Sequence, residues 1–234
     1  MKTIGLIGGM SWESSAEYYR IINEEVKARL GGLHSAQSLM YSVDFAEIEE
    51  LQRGGDWDRA TEMMVAAGRR LEAGGADCIL ICTNTMHRMA DDVAAGVSIP
   101  LIHIAEVTAG AIQSAGVHCV GLLGTNYTME GAIYPDTLTD EHQIEVLVPA
   151  SDARQIIHNV IYEELVLGIV KESSREQYQH IISGLVDDGA RGIILGCTEL
   201  TLLNLDKVCA VPLFDTTRLH ALAAVDFALE EAYS

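Results

Sequence analysis

Basic residues are scarce in this chain: 15 Lys and Arg stand against 34 Asp and Glu among 234 residues, a formal net charge of −19 at pH 7. Nucleic acids and anionic membranes are bound through clustered Lys and Arg, so neither is an expected partner. Long apolar runs are missing as well, since no segment reaches the roughly 18 uninterrupted apolar residues that a membrane helix requires. The first apolar run, Thr3 to Ile7, stops at Gly8-Gly9 with no longer hydrophobic region or A-x-A-like cleavage site, which makes a soluble cytoplasmic protein the expectation. The five cysteines, Cys78, Cys82, Cys119, Cys197 and Cys209, contain no C-x-x-C pair, and a chain of this length does not depend on disulfides, so they read as reduced thiols. Lysines number four, Lys2, Lys27, Lys171 and Lys207, and none ends a predicted strand as a pyridoxal Schiff base would require. Gly5-Leu6-Ile7-Gly8-Gly9 is not G-x-G-x-x-G, and no acidic residue ends a second strand about 20 residues on, against dinucleotide binding. His87, His103, His180 and His220 show no metal-ligand spacing, and most read as capping or surface residues. No metal and no organic cofactor is expected.

What is present is a globular composition, 49% hydrophobic and 21% charged, with short β-rich runs alternating with helical periodicity. Strands are predicted at 3–7, 39–43, 78–81, 101–104, 119–123, 144–148, 192–195 and 211–214. Helices are predicted at 13–30, 57–73, 152–170 and 174–187. No Pro- or Ser-rich linker interrupts them. The pattern contains itself twice. Gly5-Leu6-Ile7-Gly8 recurs as Gly121-Leu122-Leu123-Gly124 at an offset of 116, and Gly75 to Thr83 resembles Gly189 to Thr198, with Cys197 lying 115 residues after Cys82. The fold class is therefore α/β, as two pseudo-symmetric lobes with mostly parallel sheets. Ligands of such sheets bind beyond the carboxyl ends of the strands, which places the active site in a cleft between the lobes.

Four loops meet that description: Gly8-Gly9-Met10-Ser11, Cys82-Thr83-Asn84-Thr85, Gly124-Thr125-Asn126-Tyr127-Thr128 and Gly196-Cys197-Thr198-Glu199. Cys82 and Cys197 each follow an apolar strand and precede a predicted helix, where free N–H groups and the helix dipole lower a thiol pKa. The hydroxyls of Thr83, Thr85, Thr125, Thr128 and Thr198 and the amide of Asn84, with the same N–H groups, suit a carboxylate. Moving a proton from one face of a carbon to the other without a cofactor takes two groups that each give and take protons, and two repeat-related thiols meet that demand.

These residues carry a resemblance to the aspartate/glutamate racemase family over essentially the whole chain. It rests on Gly8-Gly9-Met10-Ser11-Trp12-Glu13, Gly31 to Gln37, Cys82-Thr83-Asn84-Thr85-Met86-His87, Gly196-Cys197-Thr198-Glu199 and Pro212 to Thr216. The resemblance implies a cofactor-independent amino-acid racemase. Cys82 and Cys197 would be its acid/base pair, and Met10, Gln52, Thr83, Asn84, Thr85, Thr198 and Glu199 would line a site completed by Thr125, Tyr127 and Thr128. It also implies a homodimer whose C-terminal segment returns to the first lobe, giving 1–100 plus 209–234 and 101–208 as the two lobes. Two departures qualify it. Glutamate racemases have Cys-Asn-Thr in the first motif, where this chain inserts Thr83, and an ungapped repeat alignment at offset 114 sets Thr83, not Cys82, opposite Cys197. Val166 stands where aspartate-selective relatives carry a lysine, which implies a broader substrate range.

Other readings remain open at this level. Cys82 and Arg88 satisfy the C-x5-R spacing of thiol phosphatases, although the loop has no glycine to let its amides converge. Hydantoin racemase, arylmalonate decarboxylase and maleate isomerase share the wider superfamily, and a non-catalytic two-lobed binding protein shares the architecture.

Overall fold

The computed structural model describes residues 1–207 and 209–230. The predicted lobe boundary at 208 and the end of the first-lobe range, 231–234, lie outside the described residues. The chain divides into two compact units, Met1–His103 with the segment from His220 onward, and Ile104–Leu219.

In the first half of the chain, β1 (Ile4–Gly8), α1 (Trp12–Leu30), β2 (Ser38–Ser42), α2 (Phe45–Gly54), α3 (Trp57–Ala73), β3 (Cys78–Ile81), a 3-10 helix (Thr85–Met89) and α4 (Ala90–Ala95) follow one another. The second half runs α5 (Ile104–Ser114), β4 (Cys119–Gly124), α6 (Asn126–Met129), a π-helical stretch (Pro135–Glu141), β5 (Glu145–Leu147), α7 (Ser151–Glu163), α8 (Glu172–Asp187), β6 (Ile193–Gly196), a 3-10 helix (Thr198–Leu203), β7 (Leu213–Asp215) and α9 (Thr216–Leu229). Both sheets are parallel, in the orders β2-β1-β3 and β5-β4-β6-β7. Strands β1, β3 and β6 are buried along their whole length, as expected when helices cover both faces.

Local chemistry sets the helix ends. Ser11 caps α1 by accepting from Ser14 N, Asp44 and Asp56 cap α2 and α3 in the same way, and Gly31 and Gly55, both at positive φ, stop α1 and α2. Within α1, Tyr18, Ile21, Ile22 and Val26 are buried, the spacing of one helix face. The predicted helix 152–170 ends early, at Glu163, and a 3-10 turn then runs to Gly168, whose φ of 71° terminates it.

The repeat is visible in the hydrogen bonds. Ala76 N donates to Leu71 O as Ala190 N does to Leu185 O, and Asp77 N donates to Thr3 O as Arg191 N does to Cys119 O. Ile79 bridges Leu101 as Ile193 pairs with Leu213 in β7, so the predicted strand 101–104 survives only as an isolated bridge, and α5 begins at Ile104. The helix after this last strand is exchanged between the halves. Ala105, Ala109 and Ile112 of α5 pack in the core of the second unit, while Ala221, Ala224, Val225 and Ala228 of α9 pack with Ile4, Leu6 and Tyr18 in the first. The expected return of the C-terminus thus begins at His220. Residues 209–219, expected in the first lobe, lie with the second because β7 hydrogen-bonds to β6.

Candidate active site

The first unit gathers its loops at the carboxyl ends of β1, β2 and β3. Gly9, at φ +97°, passes so close to the chain after β2 that a Cβ there would lie 2.2 Å from Val43 O. Its N–H donates to Ser15 Oγ, which donates to Ser11 O, and this fixes the 8–11 turn on the start of α1. Met10 is buried in one apolar cluster with Ile48 and Met86, and the buried amide of Gln52 on α2 donates to Met86 Sδ at 3.2 Å. Three of the predicted site positions, Met10, Gln52 and the 82–85 loop, are therefore brought to one end of one sheet. Asn84 is buried, whereas Thr83 and Thr85 keep partial exposure.

Cys82 is placed differently from expectation. Its N–H continues the ladder by donating to Ile7 O, and its side chain falls on the same sheet face as Cys78 and Leu80, in the apolar cluster that holds Tyr18 of α1 and Ala221 of α9. It is 0% exposed. Burial pushes its thiol pKa up, not down. The predicted helix dipole is also weak here, because the following 3-10 helix starts only at Thr85 and spans five residues. The C-x5-R reading fails on the same geometry: Arg88 is exposed and stacks over the Trp57 ring at 4.7 Å, while Cys82 is sealed.

Strand register corrects the repeat alignment. In the first sheet Gly5 pairs with Ile79 and Ile7 with Ile81, and in the second Gly121 pairs with Ile193 and Leu123 with Leu195. The offset along β3 and β6 is therefore 114, which matches Cys82 with Gly196 and Thr83 with Cys197. The expected equivalence of the two cysteines does not hold, because the spacing of 115 skips one position of a ladder that has no bulge.

In the second unit Thr125 caps α6, with its Oγ1 accepting from Thr128 N and paired with Thr128 Oγ1 at 3.3 Å. The ends of β4 and β6 approach closely. A Cβ on Gly196 would lie 2.9 Å from Leu123 O and 3.1 Å from Thr128 Cγ2, so glycine admits the 125–128 turn against the strand that leads into Cys197. Tyr127 meets the His158 ring edge-on. Cys197 follows β6 in extended conformation and is partly exposed, and its Sγ donates to Glu199 Oε2 at 2.9 Å. Burial and the adjacent Glu199 carboxylate hold this thiol well above the ordinary range, which favours its protonated form. Thr198 Oγ1 pairs with Thr217 Oγ1 at 3.2 Å. The second unit thus assembles Thr125, Tyr127 and Thr128 in one turn, and Cys197, Thr198 and Glu199 in another.

Two features escaped the sequence reading. The thiol–carboxylate contact joins residues two apart, and a 3-10 turn is what brings them together. His87 and His220 are buried, against the expectation that most of the histidines are capping or surface residues. His87 Nδ1 lies 2.7 Å from Thr83 O, and His220 bridges Tyr18 Oη and Ile102 O. The spacing of four between Thr83 and His87 was the available signal.

Residues 7–224 match the family model described as Asp/Glu/Hydantoin racemase. A solved structure from Yersinia pestis, assigned as an Asp/Glu racemase, is 53% identical over 98% of this chain and 100% of that one, with a TM-score of 0.93. An aspartate racemase homologue from Pyrococcus horikoshii is 33% identical, covers 97% of this chain and 99% of its own, and has a TM-score of 0.86. The broad-specificity amino-acid racemase RacX of Bacillus subtilis is 23% identical over 95% of this chain and 96% of its own. Among the described residues no helix is long and apolar enough to cross a membrane.

Proposed function

Because the chain belongs to the Asp/Glu/Hydantoin racemase family, we propose that it inverts amino acids at Cα by proton transfer without an organic cofactor, with Thr83 and Cys197 as the two proton-handling groups. The observation that carries the assignment is the common register of β3 and β6, which puts these two residues at matched positions just past the strand ends. Both keep partial exposure, whereas Cys82, the alternative in the first motif, is sealed in the core.

The chemistry follows from the contacts. Cys197 rests as a thiol hydrogen-bonded to Glu199, so transfer of its proton to that carboxylate leaves a thiolate able to take the Cα proton. The carbanion takes its new proton from the Thr83 hydroxyl on the other face, and Thr83 and Glu199 return to their resting states by exchange with solvent. Of the four lysines, Lys27 lies in the last turn of α1, Lys171 before α8 and Lys207 in a 3-10 turn, and Lys2 precedes β1; none follows a strand as a Schiff-base lysine would. Asn84, Thr85, Thr125, Thr128 and Thr198, with Met10, Gln52 and Tyr127, form the substrate's surroundings. The substrates are aspartate, glutamate and related amino acids, with the apolar Val166 and the broad range of the RacX relative favouring breadth.

The test is incubation of single amino-acid enantiomers in D2O, following optical rotation and loss of the Cα proton. Thr83→Ala and Cys197→Ala each abolish racemisation, and Cys82→Ala keeps most of it. Full activity in Thr83→Ala together with inactive Cys82→Ala reverses the assignment to the cysteine pair. Activity that survives thiol alkylation, or is lost to chelators or hydroxylamine, overturns the mechanism.

A further inference from the structure

The matched positions of Thr83 and Cys197 are held in different ways. In the second unit the 3-10 helix starts immediately after Cys197, and the Leu200 N–H donates to the Cys197 carbonyl at 3.1 Å. In the first unit the 3-10 helix starts one residue later in the matched register, at Thr85, and its first turn closes on Asn84 O instead. The Thr83 carbonyl is taken by a side chain, His87 Nδ1, at 2.7 Å.

A carbonyl oxygen only accepts, so Nδ1 carries the hydrogen of a neutral ring and Nε2 carries a lone pair. His87 is 3% exposed, and Nε2 has no hydrogen-bond partner. Around it stand the His103 ring, at a centroid distance of 5.0 Å, and the His220 ring, at 5.3 Å, both tilted edge to face. A buried acceptor with nothing to accept is unfavourable, and a phenyl ring in the same space would avoid it. What the imidazole offers that phenyl lacks is its other nitrogen. Thr83 N donates to Ile81 O at 2.8 Å, so with the His87 contact both backbone groups of Thr83 are fixed, and with them the direction of its Cα–Cβ bond.

We propose that His87 is a positioning residue for Thr83, replacing through its Nδ1–H the backbone hydrogen bond that orients Cys197. This inference rests on the assignment of Thr83 as a proton-handling group. Small displacements of a reacting group carry large penalties in rate, so the effect belongs in kcat and not in KM.

Three variants test it alongside Thr83→Ala. His87→Phe fills the space without a donor, and its kcat is expected to fall at least about tenfold with KM changed less than about threefold. His87→Asn places an amide donor near the Nδ1 position and is expected to restore kcat to within a few-fold of the parent. His87→Gln reaches towards the Nε2 position and is expected to behave as His87→Phe, which keeps the test open should the phenyl variant not fold. Parent-like kcat in His87→Phe or His87→Gln, or no recovery in His87→Asn, overturns the proposal. A fully active Thr83→Ala instead refutes the assignment of Thr83 itself, so the two failures are told apart.

Discussion

Acidification is expected to destabilise the first unit through His87 and His220. His220 donates from Nε2 to Ile102 O and accepts the Tyr18 hydroxyl at Nδ1, and burial, the largest cause, brings its pKa down to about 3. Burial, with the neighbouring His220 and His103, holds His87 well below the ordinary range in the same way. In the unfolded chain both titrate near 6.5. As pH falls through that value the unfolded state gains protons that the folded state refuses, so stability is complete above about 6.5 and is lost progressively towards the folded pKa. The slope approaches about 1.4 kcal/mol per pH unit per histidine. Integrated from pH 6.5 to 4.5 it amounts to roughly 2 kcal/mol each, or about 4–5 kcal/mol together, a large part of an ordinary domain's stability. The net charge of −19 acts in the other direction, because carboxylate protonation relieves repulsion over part of the same range. The decisive quantity is therefore a difference in slope. Urea unfolding of the parent, His87→Phe and His220→Gln at half-unit steps from pH 7 to 4.5 is expected to show each variant losing about one histidine's share of the slope. Identical slopes in all three proteins would mean that these rings are charged in the folded state, against the neutral imidazole on which the Thr83 contact depends.

Two further outcomes follow from single contacts. Glu199→Gln removes the charge that helps keep Cys197 protonated but leaves an amide oxygen to accept from it, so the thiol pKa falls. Alkylation of Cys197, resolved by peptide mass spectrometry, is expected to accelerate several-fold near pH 7.5, and an unchanged or slower rate would contradict the thiol–carboxylate contact. Gly9→Ala places a Cβ 2.2 Å from Val43 O at a φ of +97°, so a loss of about 2 kcal/mol or more is expected. A melting temperature equal to the parent's would show that the 8–11 turn is not packed on the end of β2 as described.

The sequence determined the class of fold and the kind of site. Wholly apolar short runs ending in Gly or Cys, spaced by amphipathic stretches, admit parallel α/β units and little else, and the recurrence of Gly-Leu-Ile-Gly as Gly-Leu-Leu-Gly at 116 residues marked the duplication. The four loops carrying the candidate residues were legible because strand ends in such sheets are where polar and small residues must emerge. Only the tertiary structure decided which residue of the first motif matches Cys197, since a one-residue difference in offset is invisible until hydrogen-bond register fixes it, and one residue turns a side chain to the other face of the sheet. It also decided the thiol states, because burial outweighs a short 3-10 helix. The packing of α9 in the first unit and the inward placement of His220 depend on contacts between segments more than a hundred residues apart. No local pattern along the chain encodes those contacts.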